Sequence, residues 1–241
     1  MRAAPYTRLA GVYDALMSDV AYDDWFVFLV REATRRGFAG GPLLDLACGT
    51  GNATRPAVVR GFDVEGLDRA PAMLAVARER LPDVTFHVGD ATALALPRRY
   101  ALIYSVFDAL NNLLDDAAFL ATARGVHAHL EPGGVFAFDA NTRAGLRDLW
   151  GGRAEGWADD VYYRWTHHYD PVTDLATVEA HCDGPEGPFT EVHVERPYDP
   201  GDLRRLLRAA GFADVDVVTY PGADPARDED ERVWAFARRP A

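Results

Sequence analysis

Leu43-Leu44-Asp45-Leu46-Ala47-Cys48-Gly49-Thr50-Gly51 is a short apolar run holding one acid and closed by two glycines, and residues 53–60 behind it read as a helix start. A run of that length suits a buried strand, and Gly49 and Gly51 reach torsions that a Cβ forbids. A helix beginning directly after them leaves free amides facing the turn. The unit repeats along the chain. Val64-Glu65-Gly66-Leu67 ends at Asp68, and Pro71 opens a helix carrying Met73, Leu74, Val76, Ala77 and Leu81. Residues 84–88 end at Asp90, residues 101–106 follow, and a helix over 117–130 is closed by Pro132-Gly133-Gly134 before a fifth strand over 135–138 ends at Asp139. A helix over 203–210 capped by Gly211 then precedes two closing strands, 215–218 and 233–236. Strands alternating with helices predict an α/β fold: a doubly wound, mostly parallel seven-stranded sheet with helices on both faces.

Between Arg143 and Tyr198 the rhythm changes to longer alternating strands. Residues 161–169, 175–182 and 189–196 read as a three-stranded antiparallel unit, with Asp170-Pro171-Val172-Thr173-Asp174 as the turn of its first hairpin. The expected layout is one domain over 1–241, with an antiparallel β insertion at 145–198 after strand 5, covering one end of the sheet.

At 241 residues, 49% hydrophobic and 26% charged, the chain is long enough for one core and too apolar for disorder. A net charge of -12 disfavours nucleic acid and anionic membrane as partners. Every basic residue is arginine, and Arg204, Arg205 and Arg208 read as a solvated helix face. Cys48 and Cys182 give neither a disulfide framework nor a metal spacing, which fits a cytoplasmic location, and no run approaches the ~18 apolar residues of a membrane helix.

Gly-x-Gly alone is weak. In a nicotinamide fingerprint a third glycine would stand at position 54, which is Thr54. Asp68, an acid at a strand end 17 positions beyond Gly51, strengthens the signal, because a carboxylate there accepts from both hydroxyls of a ribose. By itself Asp90 reads as a helix N-cap.

Taken together, these motifs resemble the class I S-adenosylmethionine-dependent methyltransferases, whose first motif runs acidic-x-small-x-Gly-x-Gly, with Ala47 standing where glycine is commonest. The resemblance extends through Asp68, Gly89-Asp90-Ala91 and Leu130-Glu131-Pro132-Gly133-Gly134 and covers residues 5–140. It implies S-adenosyl-L-methionine as cofactor and S-adenosyl-L-homocysteine as product. Asp45 and the stretch Ala47, Cys48, Gly49 and Gly51 would hold the methionine part and Asp68 the ribose. Arg69, Met73, Asp90 and Ala91 would hold adenine.

Tyr13-Asp14-Ala15-Leu16-Met17, with Tyr22 and Trp25 after it, is similar to the small-molecule N-methyltransferase branch, in which an N-terminal helical cap, here residues 1–40, closes over the cofactor. That likeness places Tyr6 or Tyr13 before the sulfonium, where an aromatic face attracts a cation by ~0.5–2 kcal/mol, and adds Trp25 and Phe107 to the cofactor's surroundings.

In open parallel sheets ligands lie beyond the carboxyl ends of the strands. Ser105-Val106-Phe107-Asp108-Ala109-Leu110-Asn111-Asn112 then makes Asp108, Asn111 and Tyr13 the catalytic candidates, with Asn112, Asp139 and Asn141 behind them.

The expected reaction is methyl transfer to a small-molecule acceptor, an amine nitrogen before a hydroxyl. The alternatives are a methyltransferase acting on tRNA or protein and a non-catalytic adenosyl-ligand module. By strand alternation His167, Glu179, His181 and His193 share one face, read as a polar lining or an oligomer contact, with no metal assigned. Trp157, Tyr163, Trp165 and Tyr169 add an aromatic surface that leaves a homodimer open.

Overall fold

The structure, a computed structural model, describes residues 4–149 and 152–241. Seven strands, β1 (Leu43–Leu46), β2 (Val64–Asp68), β3 (Phe86–Val88), β4 (Tyr100–Ser105), β5 (Leu130–Asn141), β10 (Val215–Val218) and β11 (Arg232–Arg238), form one sheet in the order β10-β11-β5-β4-β1-β2-β3. The first five are parallel, and β11 runs antiparallel to both its neighbours. Strand order reverses between β1 and β4, so a crevice opens beyond their carboxyl ends. Every residue of β1 and of β4 is buried, as a central parallel strand covered on both faces must be.

Both faces carry helices. α2 (Tyr22–Arg35) and α3 (Thr54–Val59) cover one face, where Phe26, Phe28 and Leu29 pack against Tyr104, Trp234 and Phe236. α5 (Asp116–His129) and α7 (Pro200–Ala209) cover the other with Phe119, Leu203 and Leu207 against Phe136 and Phe138. α4 (Pro71–Arg80) sets Leu74 and Ala77 against Cys48 and Phe86. The N-terminal residues divide their work: α2 packs mainly on the sheet, and the segment through α1 (Tyr13–Leu16), joined by Tyr22 at the start of α2, lies over the crevice.

After α6 (Arg143–Leu149) comes a second, antiparallel sheet of four strands, β6 (Gly152–Ala158), β7 (Val161–Asp170), β8 (Leu175–Gly184) and β9 (Gly187–Glu195). The alternation pattern predicts three. The extra strand, Gly-Arg-Ala-Glu-Gly-Trp-Ala, has no apolar alternation to betray it, and backbone pairing holds this mostly exposed edge to β7. The Asp170 turn is made as expected, its carboxylate accepting from the Val172 amide and the Thr173 hydroxyl.

Register corrects the histidine reading. His167 pairs with Val178, and Val178 with His193, so both histidines face inward. His181 stands opposite Arg164 and Thr190, and Glu179 opposite Thr166 and Val192, one residue out of phase and on the outer face. No cluster of His, Cys, Asp and Glu among the described residues is placed to hold a metal.

Candidate active site

The first cleft is built on the turn after β1. Ala47, Gly49 and Gly51 take φ of 61°, 54° and 81°, which turns the backbone into the crevice. Ala47 holds this left-handed conformation despite its Cβ, at a cost of ~1–2 kcal/mol. Thr54, at the position of the missing third glycine, donates its hydroxyl to Asp45 at 2.6 Å. Burial pushes the Asp45 carboxyl up to about 7 and the neighbouring Asp68 adds to this, while the Thr54 bond opposes it.

Asp68 closes β2 and clamps the turn. One carboxylate oxygen accepts from the Gly49 amide at 2.9 Å and the other from the Ala70 amide at 2.8 Å. Burial raises its pKa, with those two amides pulling against it. Each oxygen keeps a lone pair for a further donor. Asp90 lines the same cleft and accepts from the Thr92 amide and hydroxyl, contacts that hold its carboxyl low. It is thus both an N-cap and a cleft residue. Arg69, Met73, Ala91 and Phe107 complete the walls of a space of about 970 Å³.

The N-terminal arm roofs this space with Tyr6, Tyr13 and Tyr22, whose phenols are raised by burial above the usual tyrosine value. Two carboxylates strap the arm down. Asp14 accepts from the Thr50 hydroxyl at 2.6 Å, the Asn52 amide at 2.9 Å and Arg80 at 2.7 Å, tying α1 to the glycine turn. Glu191, fully buried on β9, accepts from the backbone amides of Tyr6, Thr7, Arg8 and Leu9 at 2.7–3.2 Å. The His193 ring packs on Tyr6 with centroids 4.6 Å apart.

A second cleft of about 610 Å³ shares Tyr6, Tyr13, Phe107 and Asn112 with the first and continues beneath the antiparallel sheet, where Trp165, His167, His193 and Glu195 face it. At its base Phe107 and Asp108 both adopt left-handed φ, 63° and 49°, at a cost of ~1–3 kcal/mol each. The pair is held by the Asp108 amide donating to Asp139 at 3.1 Å and by the Asn141 amide donating to the Asp108 carboxylate at 2.6 Å. Arg232 pairs with Asp139, approaches Asp108 to 3.5 Å and lies over the Phe107 and Trp25 rings. Burial pushes Asp139 up to about 6, with Arg232 pulling it down. Burial, then the charge of Asp108, raises Glu195 further above the carboxylate range.

The structure brings together on the first cleft Tyr13, Asp45, Ala47, Cys48, Gly49, Asp68, Arg69, Met73, Asp90, Ala91 and Phe107, and Asp108 on the second. Gly51 shapes the turn from behind, its Cα facing Leu81, Ala77 and Phe86. Two residues read as site residues lie elsewhere. Trp25 packs in an aromatic stack with Trp234, Tyr22 and Phe107, because α2 turns that face to the sheet. Asn111 is fully buried, its amide donating to the Asn141 and Arg196 carbonyls and its oxygen accepting from the Asn141 amide, so its polar groups are spent on joining β5 to the chain after β9.

The cleft residues that sequence reading passed over are Glu195, Asn52 and, as strap, Glu191. β9 carried a signal in its inverted pattern: Glu191, His193 and Glu195 alternate with Val192 and Val194, and it is the charged face that is buried.

Residues 43–134 match the model of a methyltransferase domain. The structure superposes on an S-adenosylmethionine-dependent methyltransferase from Clostridium acetobutylicum ATCC 824 with a TM-score of 0.85 and 25% identity, over 97% of this chain and 98% of that one. The sugar N-methyltransferase KedS8 from Streptoalloteichus, 23% identical, shares the fold with a TM-score of 0.79 over 95% and 93% of the two chains. In sequence, the dTDP-3-amino-3,4,6-trideoxy-alpha-D-glucopyranose N,N-dimethyltransferase of Streptomyces venezuelae is 37% identical over 123 residues, 51% of this chain and 48% of that protein. This chain is an S-adenosylmethionine-dependent methyltransferase, with a methyltransferase domain over residues 43–134 and the class I methyltransferase fold. The first cleft suits that cofactor: a glycine turn whose positive φ opens the backbone, an acid at the end of β2 with lone pairs left over, and an aromatic roof for a sulfonium. Among the described residues no helix is long and apolar enough to cross a membrane.

Proposed function

We propose that this enzyme methylates the nitrogen of a small-molecule amine. The observation that carries the reading is the meeting of the two clefts at Tyr6, Tyr13, Phe107 and Asn112: an acceptor in the second, enclosed by the antiparallel sheet, lies beside whatever the first presents. The small-molecule acceptors named for related methyltransferases favour a small acceptor over tRNA or protein, and the net charge of -12 weighs against nucleic acid. The aminosugar named for the Streptomyces venezuelae relative supports nitrogen over oxygen.

When bound, S-adenosylmethionine supplies an electrophilic methyl. The remaining work is done by the protein. Asp68 would hold the ribose hydroxyls, Asp90 and the Ala91 amide the adenine edge, and Arg69 and Met73 would lie beside the ring. The turn of Ala47, Cys48, Gly49 and Gly51, with Asp45 behind it, holds the methionine part. Tyr6, Tyr13 and Phe107 line the junction of the two clefts, where they would exclude water and orient the acceptor. Asp108, fixed by Asn141 and Arg232, orients the acceptor nitrogen.

Purified protein incubated with S-adenosylmethionine and panels of small amines, small alcohols, tRNA and protein tests this reading. Methylated amine with stoichiometric S-adenosylhomocysteine is expected. Transfer only to hydroxyls or only to a macromolecule overturns it.

A further inference from the structure

We infer that Glu195 sets the charge selectivity of the second cleft at the place of the acceptor group, so that an amine is taken there as its ammonium and a phosphate or carboxylate in that same place is refused. The inference deepens the amine reading above and rests on it.

Three buried acids, Asp108, Asp139 and Glu195, gather at the base of this cleft around the single guanidinium of Arg232. Arg232 is committed to Asp139 and reaches Asp108, which also accepts from Asn141. Glu195 is the least compensated of the three: burial and the charge of Asp108 outweigh Asn141 and the charge of Arg232, which favour its ionised form. It is 6% exposed, it faces the cleft, and its Oε2 meets no hydrogen-bond donor. Leaving a buried polar atom bare costs ~1–3 kcal/mol, more when it is charged. Burial and the charge of Asp108 accordingly hold the Glu195 carboxyl well above the ordinary range.

An entering ammonium supplies what is missing: three N–H donors and one positive charge against the excess of acid. The walls agree, since Tyr6, Tyr13, Phe107 and Trp165 offer ring faces that attract a cation. No arginine is among the described residues lining the cleft, and the chain has no lysine. His193, the nearest imidazole along β9, packs on Tyr6 and lies 3.5 Å from Glu191. A phosphate would therefore enter a field of carboxylates with no guanidinium fork to receive it. The strong proton affinity of Glu195 also serves the reaction. The positive charge of the bound ammonium favours the ionised carboxylate, and within that ion pair Oε2 takes the proton as the N–H bond breaks, the electron pair staying on nitrogen as the lone pair that attacks.

Calorimetry on the enzyme saturated with S-adenosylhomocysteine reads recognition without turnover, using benzylamine, benzyl alcohol and benzyl phosphate as probes of one shape and three charges. Benzylamine is expected to bind about tenfold or more tighter than benzyl alcohol, with benzyl phosphate excluded. Glu195→Gln, which keeps the shape and removes the charge, is expected to bring amine and alcohol within about threefold while leaving S-adenosylhomocysteine affinity in place. Glu195→Asp, which withdraws the acid by one methylene, is read in the same way should the glutamine variant fail to fold, and a partial loss of preference is expected. Amine and alcohol binding alike, phosphate bound, no probe bound, or a variant keeping the full preference overturns the inference. The two readings fail separately: charge selection through Glu195 without methyl transfer to any amine refutes the proposed reaction alone, and amine methylation by a cleft indifferent to charge refutes this inference alone.

Discussion

Asp68→Ala isolates the residue on which the cofactor reading leans most. The carboxylate makes two contacts, with the Gly49 and Ala70 amides, and keeps a lone pair on each oxygen, which the proposed ribose contact would use. Removing it deletes two charge-assisted bonds to the ligand, ~1–3 kcal/mol in all, or roughly a 5- to 150-fold rise in Kd. Both amides are only part-buried and Gly49 lines the cleft, so water can replace the lost acceptor and the fold should lose no more than ~1 kcal/mol, about 2–4 °C in Tm for a chain of this size. Asp68→Asn separates the effects: its oxygen retains one amide contact and it lacks the charge, so it should restore most of the Tm and little of the affinity. The sign of the pH effect follows from burial, which raises the Asp68 pKa. Donors from a ribose favour the ionised form, so wild-type affinity should fall as pH drops through that raised value, and the alanine variant should lack this fall. Titration calorimetry with S-adenosylhomocysteine is the assay. A Kd for Asp68→Ala within about twofold of wild type would refute the reasoning and take Asp68 out of the site.

Ala47→Gly should stabilise the protein by ~0.5–1 kcal/mol in thermal melts, because φ of 61° strains a residue with a Cβ; a lower Tm would show that the strain is not there. Asp45, pushed by burial up to about 7, binds its proton more tightly folded than unfolded. It therefore contributes stability that is complete below the unfolded value and lost as pH rises through about 7. Asp45→Asn should flatten the decline of Tm between mildly acid and mildly alkaline buffer, and an unchanged slope would contradict the assignment. Burial raises Glu191, but His193 and the amides of Leu9, Arg8 and Tyr6 outweigh it and lower its pKa. Glu191→Gln should thus free the arm, seen as faster hydrogen exchange at the amides of Tyr6 to Leu9 and faster release of S-adenosylhomocysteine; unchanged exchange would show that the strap carries no load.

The residues of the first cleft were legible because local chemistry places them. Gly49 and Gly51 have few uses other than a left-handed turn before a helix, and an acid ending the next strand, Asp68, falls beside that turn in any right-handed β-α-β unit. The same locality misled at Trp25 and Asn111. Each stands near the right place in sequence, but the face that α2 turns to Trp234, and the carbonyls of Asn141 and Arg196 that claim the Asn111 amide, belong to distant segments. β6 went unread because an edge strand held by its backbone needs no apolar pattern.

What the sequence determined by itself was the doubly wound sheet, the alternation of strands and helices along the chain and the acids at the strand ends, since these follow from hydrophobic periodicity and turn chemistry within a few residues. What only the tertiary structure decided was the second cleft. Strand register put His193 and Glu195 inward and His181 outward, and contacts spanning more than 180 residues strapped Tyr6 beneath β9. A one-residue slip would reverse every such side chain, and pairing across the whole sheet, not the pattern within one strand, fixes that choice.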